Sequence, residues 1–333
     1  MKIAVIGAGG IGGYLGARLA LSGETVTFVA RGPNLEAIRG RGMRLIEEDG
    51  TEHAVPGVKA VQQMVEAGPQ DVVLLALKAH QVAAVAPQIG ALLGPETAIV
   101  TLQNGIPWWY FHKLEGPWQG HRLESVDPGG VIASYIDNER LIGSVVYPAS
   151  ELIEPGVVKV IEGNRFSLGE PDNSKSTRVL RIAEALTRAG FKAPVSSDLR
   201  SEIWLKLWGN LTFNPVSALT HATLVQICRH PLTRELALGM MREAQQVAEQ
   251  LGVRFRIPIE RRLAGAEAVG EHKTSMLQDV EQGRPLELDA LLGSVIELAR
   301  LTQTPAPKCE AVYACCALLA DTLAAHKGRL SLG

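Results

Sequence analysis

Residues 3–30 leave this chain few ways to fold. Ile3 to Ile6 form a short continuous apolar run, the pattern of a parallel strand covered on both faces. Gly7, Gly9 and Gly12 follow as GxGxxG, and Tyr14 to Leu21 continue as a helix of small residues that stops near Gly23. Thr25 to Ala30, TVTFVA, supply a second strand rich in β-branched residues. Strand, glycine turn, helix and strand make a βαβ unit of the kind that holds a dinucleotide. In such a unit Gly7 permits the tight turn, Gly9 lets the backbone approach a pyrophosphate, and Gly12 lets helix and strand pack closely. The helix N-terminus offers free N–H groups to the anion. The loop Gly7, Ala8, Gly9, Gly10, Ile11 and Gly12 is therefore the first candidate site. Among 34 glycines the spacing alone means little; the strand before it and the helix after it give it content.

Further buried runs at Val72 to Leu77 and Ala98 to Leu102 alternate with helical segments, so the first half reads as a doubly wound sheet. From Leu141 to Glu170 the strands shorten to VVYPAS, GVVKVIEG and RFSLGE between Gly and Pro turns, which predicts an antiparallel extension closing the first domain. Lys175 to Ala189 reads as a helix ended by Gly190. After Pro194 nearly everything is helical, over 198–214, 231–251, 258–283 and 286–326 with breaks. The expected fold class is α/β, an N-terminal Rossmann-type doubly wound sheet followed by an all-helical C-terminal domain. The boundary falls at about 190 to 200, drawn as 1–195 for the dinucleotide domain and 196–333 for the helical one. A length of 333 residues, more than one core usually serves, independently points to two domains with a cleft.

Composition removes several classes of function. The chain is 46% hydrophobic and 20% charged, with no long polar tract that would stay disordered. A formal net charge of -2 with scattered Lys and Arg supplies no basic patch for a phosphate backbone, so nucleic acid is not an expected partner. Cys228, Cys309, Cys315 and Cys316 form no CxxC pair and no zinc-type spacing. They read as small buried hydrophobes in a reducing compartment, and no metal is expected. Glycines interrupt the N-terminal apolar run where a signal peptide needs continuity, and Asp321 interrupts the best late apolar stretch, CCALLADTLAA. A cytoplasmic protein, outside the membrane, is the expectation.

Polar residues that directly follow buried strands are candidates for ligand contact, because ligands of open parallel sheets bind beyond the strands' carboxyl ends. After the second strand an acid would hydrogen-bond a ribose 2′-hydroxyl and repel a 2′-phosphate; here Arg31 stands there, with no Asp or Glu before Glu36. A guanidinium suits the phosphate, so NADPH is expected, unless Arg31 is a solvated surface residue. Lys78 follows VVLLAL and Asn104, in LQNG, follows AIVTL; the plain alternatives are a helix-start lysine and a turn residue. In the apolar segment Ser201 to Leu219, Lys206, Asn210 and Asn214 stand at i, i+4 and i+8, on one helical face if Pro215 does not bend it. Burying an ammonium and two amides without partners would cost several kcal/mol, so they face a polar ligand or, more blandly, solvent. Trp204 and Trp208 in the same turns argue against full exposure. A last cluster, HKTSMLQDVEQGRPLELDALLG, carries Ser275 and Glu287, the latter also suited to complementing a helix dipole.

Together these residues resemble the ketopantoate reductase family, over nearly the whole chain. The matching segments are GAGGIGGYLGARL, ARG at 30–32, LKAHQV at 77–82, LQNGI at 102–106, WLKLWGNLTFNPVSAL at 204–219 and SMLQDVEQGRPLELD at 275–289. The resemblance implies NADPH-dependent reduction of 2-dehydropantoate to pantoate, for pantothenate and coenzyme A synthesis. It implies that Lys206 is the general acid, that Asn210, Asn214 and Ser275 hold substrate, and that Glu287 contacts the cofactor and orders the lysine. Asn104 and Lys78 resemble cofactor contacts, Asn104 also touching substrate, and Ala149 matches a backbone contact to the cofactor. The chain departs from the family at His272, Leu224 and Leu292, where members often have Asn, which bears on which 2-oxo acid is preferred. The segment Pro107 to Ser134, with Trp108, Trp109 and Tyr110, is longer than the family pattern and either lines the cleft or only packs. Two other readings stay open: a reductase of another 2-oxo acid, sharing Lys206 and Glu287, and a non-catalytic dinucleotide sensor, which would not need the lysine and asparagine stripe. Arg31 and the helical second half disfavour a methyltransferase. The apolar helix Cys309 to Leu323 is either core or a surface for a homodimer.

Overall fold

Continuous β-branched runs need cover on both faces, and they receive it in a seven-stranded sheet. In the computed structural model, which describes residues 1–329, eleven strands form: β1 (Lys2–Ile6), β2 (Thr25–Val29), β3 (Met43–Ile46), β4 (Glu52–Val55), β5 (Lys59–Val61), β6 (Gln70–Leu75), β7 (Leu93–Thr101), β8 (Leu141–Val146), β9 (Ala149–Glu154), β10 (Val157–Glu162) and β11 (Phe166–Gly169). The large sheet runs β11-β8-β7-β6-β1-β2-β5, parallel except for β11 at its edge. β1 lies at the switch of strand order, with Ile3 beside Val26 of β2 and Val72 of β6. This is where a doubly wound sheet opens its ligand crevice.

The expected antiparallel extension over Leu141 to Glu170 is only partly right. β8 pairs parallel to β7 inside the large sheet, and only β11 returns antiparallel to it. VVYPAS is not one strand: β8 stops at Val146 and β9 starts at Ala149, because Pro148 has no N–H to give a ladder. β9 and β10 instead join β3 and β4 in a second sheet of order β4-β3-β10-β9. That sheet covers the helix Gly10–Leu21, with Val158 and Met43 meeting the bare backbone of Gly13. A Cβ on Gly10 would collide with the carbonyl of Ser150.

In the long segment after Asn104, the aromatic run is packed inside. Trp108, Trp109, Tyr110 and Phe111 are all buried, and Trp109 donates from its indole to Thr101 Oγ1 (3.2 Å) beneath the end of β7. Its ring also lies against Gly143.

The later part of the chain is helical. Leu199–Thr220 runs through Pro215 without stopping, followed by Leu224–Arg229, Pro231–Gln250, Ile259–Ala268, Ser275–Glu281, Ser294–Leu301 and Pro307–Ala325. One of the expected breaks falls within 258–283, which forms two helices separated where Val225 N–H donates to Gly270 O (3.2 Å) and Leu224 N–H to His272 O (3.1 Å). Helix Pro307–Ala325 buries Cys309, Val312, Cys316 and Leu323, yet Leu318 is 68% exposed. Cys315 is exposed too, which corrects its reading as buried; it falls on the outer face, one residue from Cys316 on the inner one.

Two compact units emerge. The first comprises Met1–Asn104, Trp108–Arg122 and Asp127–Leu199; the second comprises Gly105–Pro107, Leu123–Val126 and the chain from Arg200 onward. Among the described residues, no helix is long and apolar enough to cross a membrane.

Candidate active site

The glycine loop behaves as its spacing requires. Gly7 turns out of β1 at φ +98°, donating its N–H to Val29 O (3.1 Å), and a Cβ there would press on Ala76 O at 2.8 Å. A Cβ on Gly12 would run into the carbonyl oxygen of Gly7, so helix and strand touch through bare backbone. Gly9 differs: nothing lies within 4 Å of its missing Cβ. The helix that starts at Gly10 has no side-chain cap and no acid in its first turn. Open space above uncapped N–H groups is what a pyrophosphate needs. Asn34, which sequence inspection passed over, locks the loop: its amide donates to Ala8 O (2.7 Å) and accepts from Gly156 N (2.7 Å). Nothing local to residue 34 signals that role, since both partners are remote in sequence.

Beside this loop lies a cavity of about 1070 Å³, bordered by Gly7, Ala8, Gly9, Arg31, Asn34 and His80 among others. No Asp or Glu lines it. The residues therefore fit a dinucleotide. Lys78, Asn104 and Ala149 lie outside the cavity's lining. Lys78 sits half-buried after β6, its N–H donating to Gln81 Oε1 (3.1 Å). Asn104 is half-buried in the turn after β7. The preceding Gln103 ties that turn to the end of β6, donating to Leu75 O (2.6 Å) and Leu77 O (3.0 Å). Ala149 opens β9, one residue before the Ser150 carbonyl that covers Gly10.

In the helical unit, the stripe at i, i+4 and i+8 survives because helix Leu199–Thr220 is uninterrupted. Lys206 and Asn210 are half-buried and Asn214 is buried, while Trp204 and Trp208 on the same helix are fully buried. Asn214 Nδ2 donates to Ser275 Oγ (3.4 Å), bringing together two candidate substrate residues 61 positions apart. Burial lowers the Lys206 ammonium to about 8, with the Glu287 carboxylate opposing the shift. That is well below the ordinary lysine range, although the group stays mostly protonated at pH 7.

Glu287 stands two residues before a wide helical turn, the π-helix Asp289–Gly293. The widened turn leaves the Ala290 carbonyl able to accept from Ile106 N (3.0 Å) as well as Ser294 Oγ (2.8 Å). Gly105, at φ +89°, lies so close to that carbonyl that any side chain there would collide with it. Of the departing positions, Leu292 is fully buried in this turn, and Leu224 and His272 are joined through their backbones. Among the described residues, no group of three or more His, Cys, Asp or Glu is placed to hold a metal ion.

A glycine-loop cavity at the switch point of a parallel sheet, in a chain that also holds a desolvated lysine, Lys206, within the field of the Glu287 carboxylate, defines the class of dinucleotide-dependent oxidoreductases. Within that class the chain belongs to the ketopantoate reductase family. Residues 3–115 match the family description "Ketopantoate reductase PanE/ApbA", and residues 198–320 match its C-terminal counterpart. The chain is 56% identical over 329 residues to a 2-dehydropantoate 2-reductase of Mesorhizobium japonicum, covering 98% of this chain and 99% of the relative. The crystal structure of a ketopantoate reductase from Ralstonia solanacearum, described as putative, superposes with a TM-score of 0.92 at 42% identity, covering 97% and 98% of the two chains. A 2-dehydropantoate 2-reductase from Geobacter metallireducens gives a TM-score of 0.83 at 30% identity, covering 96% and 100%.

Proposed function

We propose that this enzyme reduces 2-dehydropantoate to pantoate with NADPH, and that Lys206 is the proton donor. The observation that carries the reading is the Lys206–Glu287 couple, with the Asn214–Ser275 pair in the same unit. When bound, the reduced dinucleotide supplies a hydride to the 2-keto carbon. The charge this places on the keto oxygen is met by the Lys206 ammonium, which stabilises it and transfers its proton there, leaving a hydroxyl. Glu287 holds the ammonium in its charged form against desolvation. Asn210, Asn214 and Ser275 orient the substrate through neutral hydrogen bonds, and Lys78, Asn104 and Ala149 serve the cofactor. The test is NADPH oxidation with 2-dehydropantoate beside a panel of other 2-oxo acids; turnover only with another acid would reassign the substrate.

Because the ammonium is the active form, activity is present below about 8 and lost as the pH rises through that value. The kcat/KM profile, which reports the free enzyme, is expected to fall about tenfold per pH unit above the midpoint. A midpoint near an ordinary lysine value would contradict the desolvated environment.

NADPH is favoured over NADH by Arg31 on a cavity without carboxylates. Replacing the guanidinium removes a charge-assisted hydrogen bond to the 2′-phosphate, so Arg31→Ala is expected to weaken NADPH by about 10–100-fold. NADH affinity should hardly move. Fluorescence titration with both cofactors decides this, and equal losses would remove Arg31 from phosphate recognition.

A further inference from the structure

We propose that the Ser150 hydroxyl donates a hydrogen bond to the pyrophosphate of the bound dinucleotide, an inference that rests on the reading of the glycine loop as the phosphate site. Ser150 lies in β9, far along the chain from GxGxxG. The register of the small sheet fixes where its side chain goes. Ser150 pairs with Val160 and Leu152 with Val158, so these four side chains share one face of the sheet. On that face Val158 meets Gly13 of the helix Gly10–Leu21, and the Ser150 backbone covers Gly10, the first residue of the same helix. Leu152 borders the dinucleotide cavity together with Gly7, Ala8, Gly9 and Arg31. Ser150 therefore stands between Ala149, read as a cofactor contact, and the cavity wall at Leu152. Glu151 alternates to the opposite face, which takes its carboxylate off the side of the anion.

Within the protein this hydroxyl does nothing. Ser150 is half-buried as a residue, yet its Oγ is closed off from water and, among the described residues, has no hydrogen-bond partner. On a face otherwise made of Leu152, Val158 and Val160, the serine gives up hydration and gains no bond in return. An alanine would fill the place without that cost. The adjacent helix begins at Gly10 with no side-chain cap, so its first N–H groups and the serine hydroxyl lack acceptors side by side. A phosphate seated over the helix end supplies acceptors for both. The backbone N–H groups donate to it directly, and the hydroxyl reaches it by a turn about the serine Cα–Cβ bond toward the exposed side of the residue. A hydrogen bond to an ionised oxygen is stronger than one between neutral groups, which offsets the desolvation of the hydroxyl.

The experiment measures binding of NADPH, NADH and adenosine 2′-monophosphate to the parent and to Ser150→Ala by calorimetry, with a thermal melt of each protein in the absence of ligand. Adenosine 2′-monophosphate carries the phosphate expected at Arg31 and lacks the pyrophosphate. Ser150→Ala is expected to weaken NADPH and NADH by the same factor, about tenfold, as for loss of a hydrogen bond to a charged group. Adenosine 2′-monophosphate should bind as it does to the parent. The ligand-free variant should melt no lower than the parent, because the group removed had no partner. Unchanged dinucleotide affinity overturns the assignment of Ser150, and so does a loss confined to NADPH, which would put the contact at the 2′-phosphate. Equal weakening of all three ligands, or a lower melt, would make the hydroxyl a support of the fold and overturns it as well. A parent that binds neither dinucleotide overturns the glycine-loop reading together with it.

Discussion

Lys206→Ala is expected to lower kcat with the 2-oxo acid by about 1,000-fold while dinucleotide affinity stays within about twofold of the parent. Proton donation by a placed group accounts for a rate factor of this order, and the lysine stands on the helical unit rather than on the glycine-loop cavity. Lys206→Arg should not restore the rate, because a guanidinium holds its proton too tightly to give it up. The same site should show its burden on folding. Desolvation is what pulls the Lys206 ammonium down to about 8, so the charged side chain is a penalty on the folded state. Lys206→Met removes the penalty and should melt no lower than the parent while remaining inactive. Stopped-flow absorbance at the reduced nicotinamide band and a thermal melt together decide the matter. A variant that keeps more than about a tenth of the parent's kcat would remove Lys206 as proton donor.

Gly12→Val should abolish measurable dinucleotide binding and lower stability by about 1–3 kcal/mol or more, the range of an overpacked core. The added carbons meet the Gly7 carbonyl and the Ala76 side chain, both fixed by the sheet, so the helix must back away from β1. Gly9→Ala provides the contrast. Its φ of -79° suits any residue, and nothing lies within 4 Å of the new methyl, so the variant should melt like the parent. The methyl nevertheless points into the space proposed for the pyrophosphate, and NADPH should bind about tenfold or more weakly. Equal melting of parent and Gly9→Ala with equal affinity would show that the phosphates do not approach this loop. Loss of affinity without loss of stability supports a ligand site rather than a glycine turn.

What was legible beforehand was whatever depends on neighbours in sequence. A strand, a glycine turn and a helix announce themselves through short periods and through the demand at Gly7 for a positive φ, and the first unit follows from them. The i, i+4, i+8 stripe from Lys206 to Asn214 was equally readable, because one continuous helix suffices to align it. The split of VVYPAS at Pro148 was readable in principle from the missing N–H, and the parallel pairing of β8 was not, since pairing depends on a distant partner.

The remainder was decided by tertiary structure, for one physical reason: non-local approach and desolvation leave no local signature. The contact of Asn214 with Ser275 joins positions 61 apart. Gly10 and Gly13 look redundant in sequence until the second sheet lies against them. The aromatic run Trp108 to Phe111, ambiguous as lid or core, becomes core only through the sheet it packs on. Lys206 is an ordinary lysine by composition and becomes a poised one through burial. Sequence alone determined which residue types and local turns this enzyme carries; the tertiary structure decided which of them meet, and how far from water.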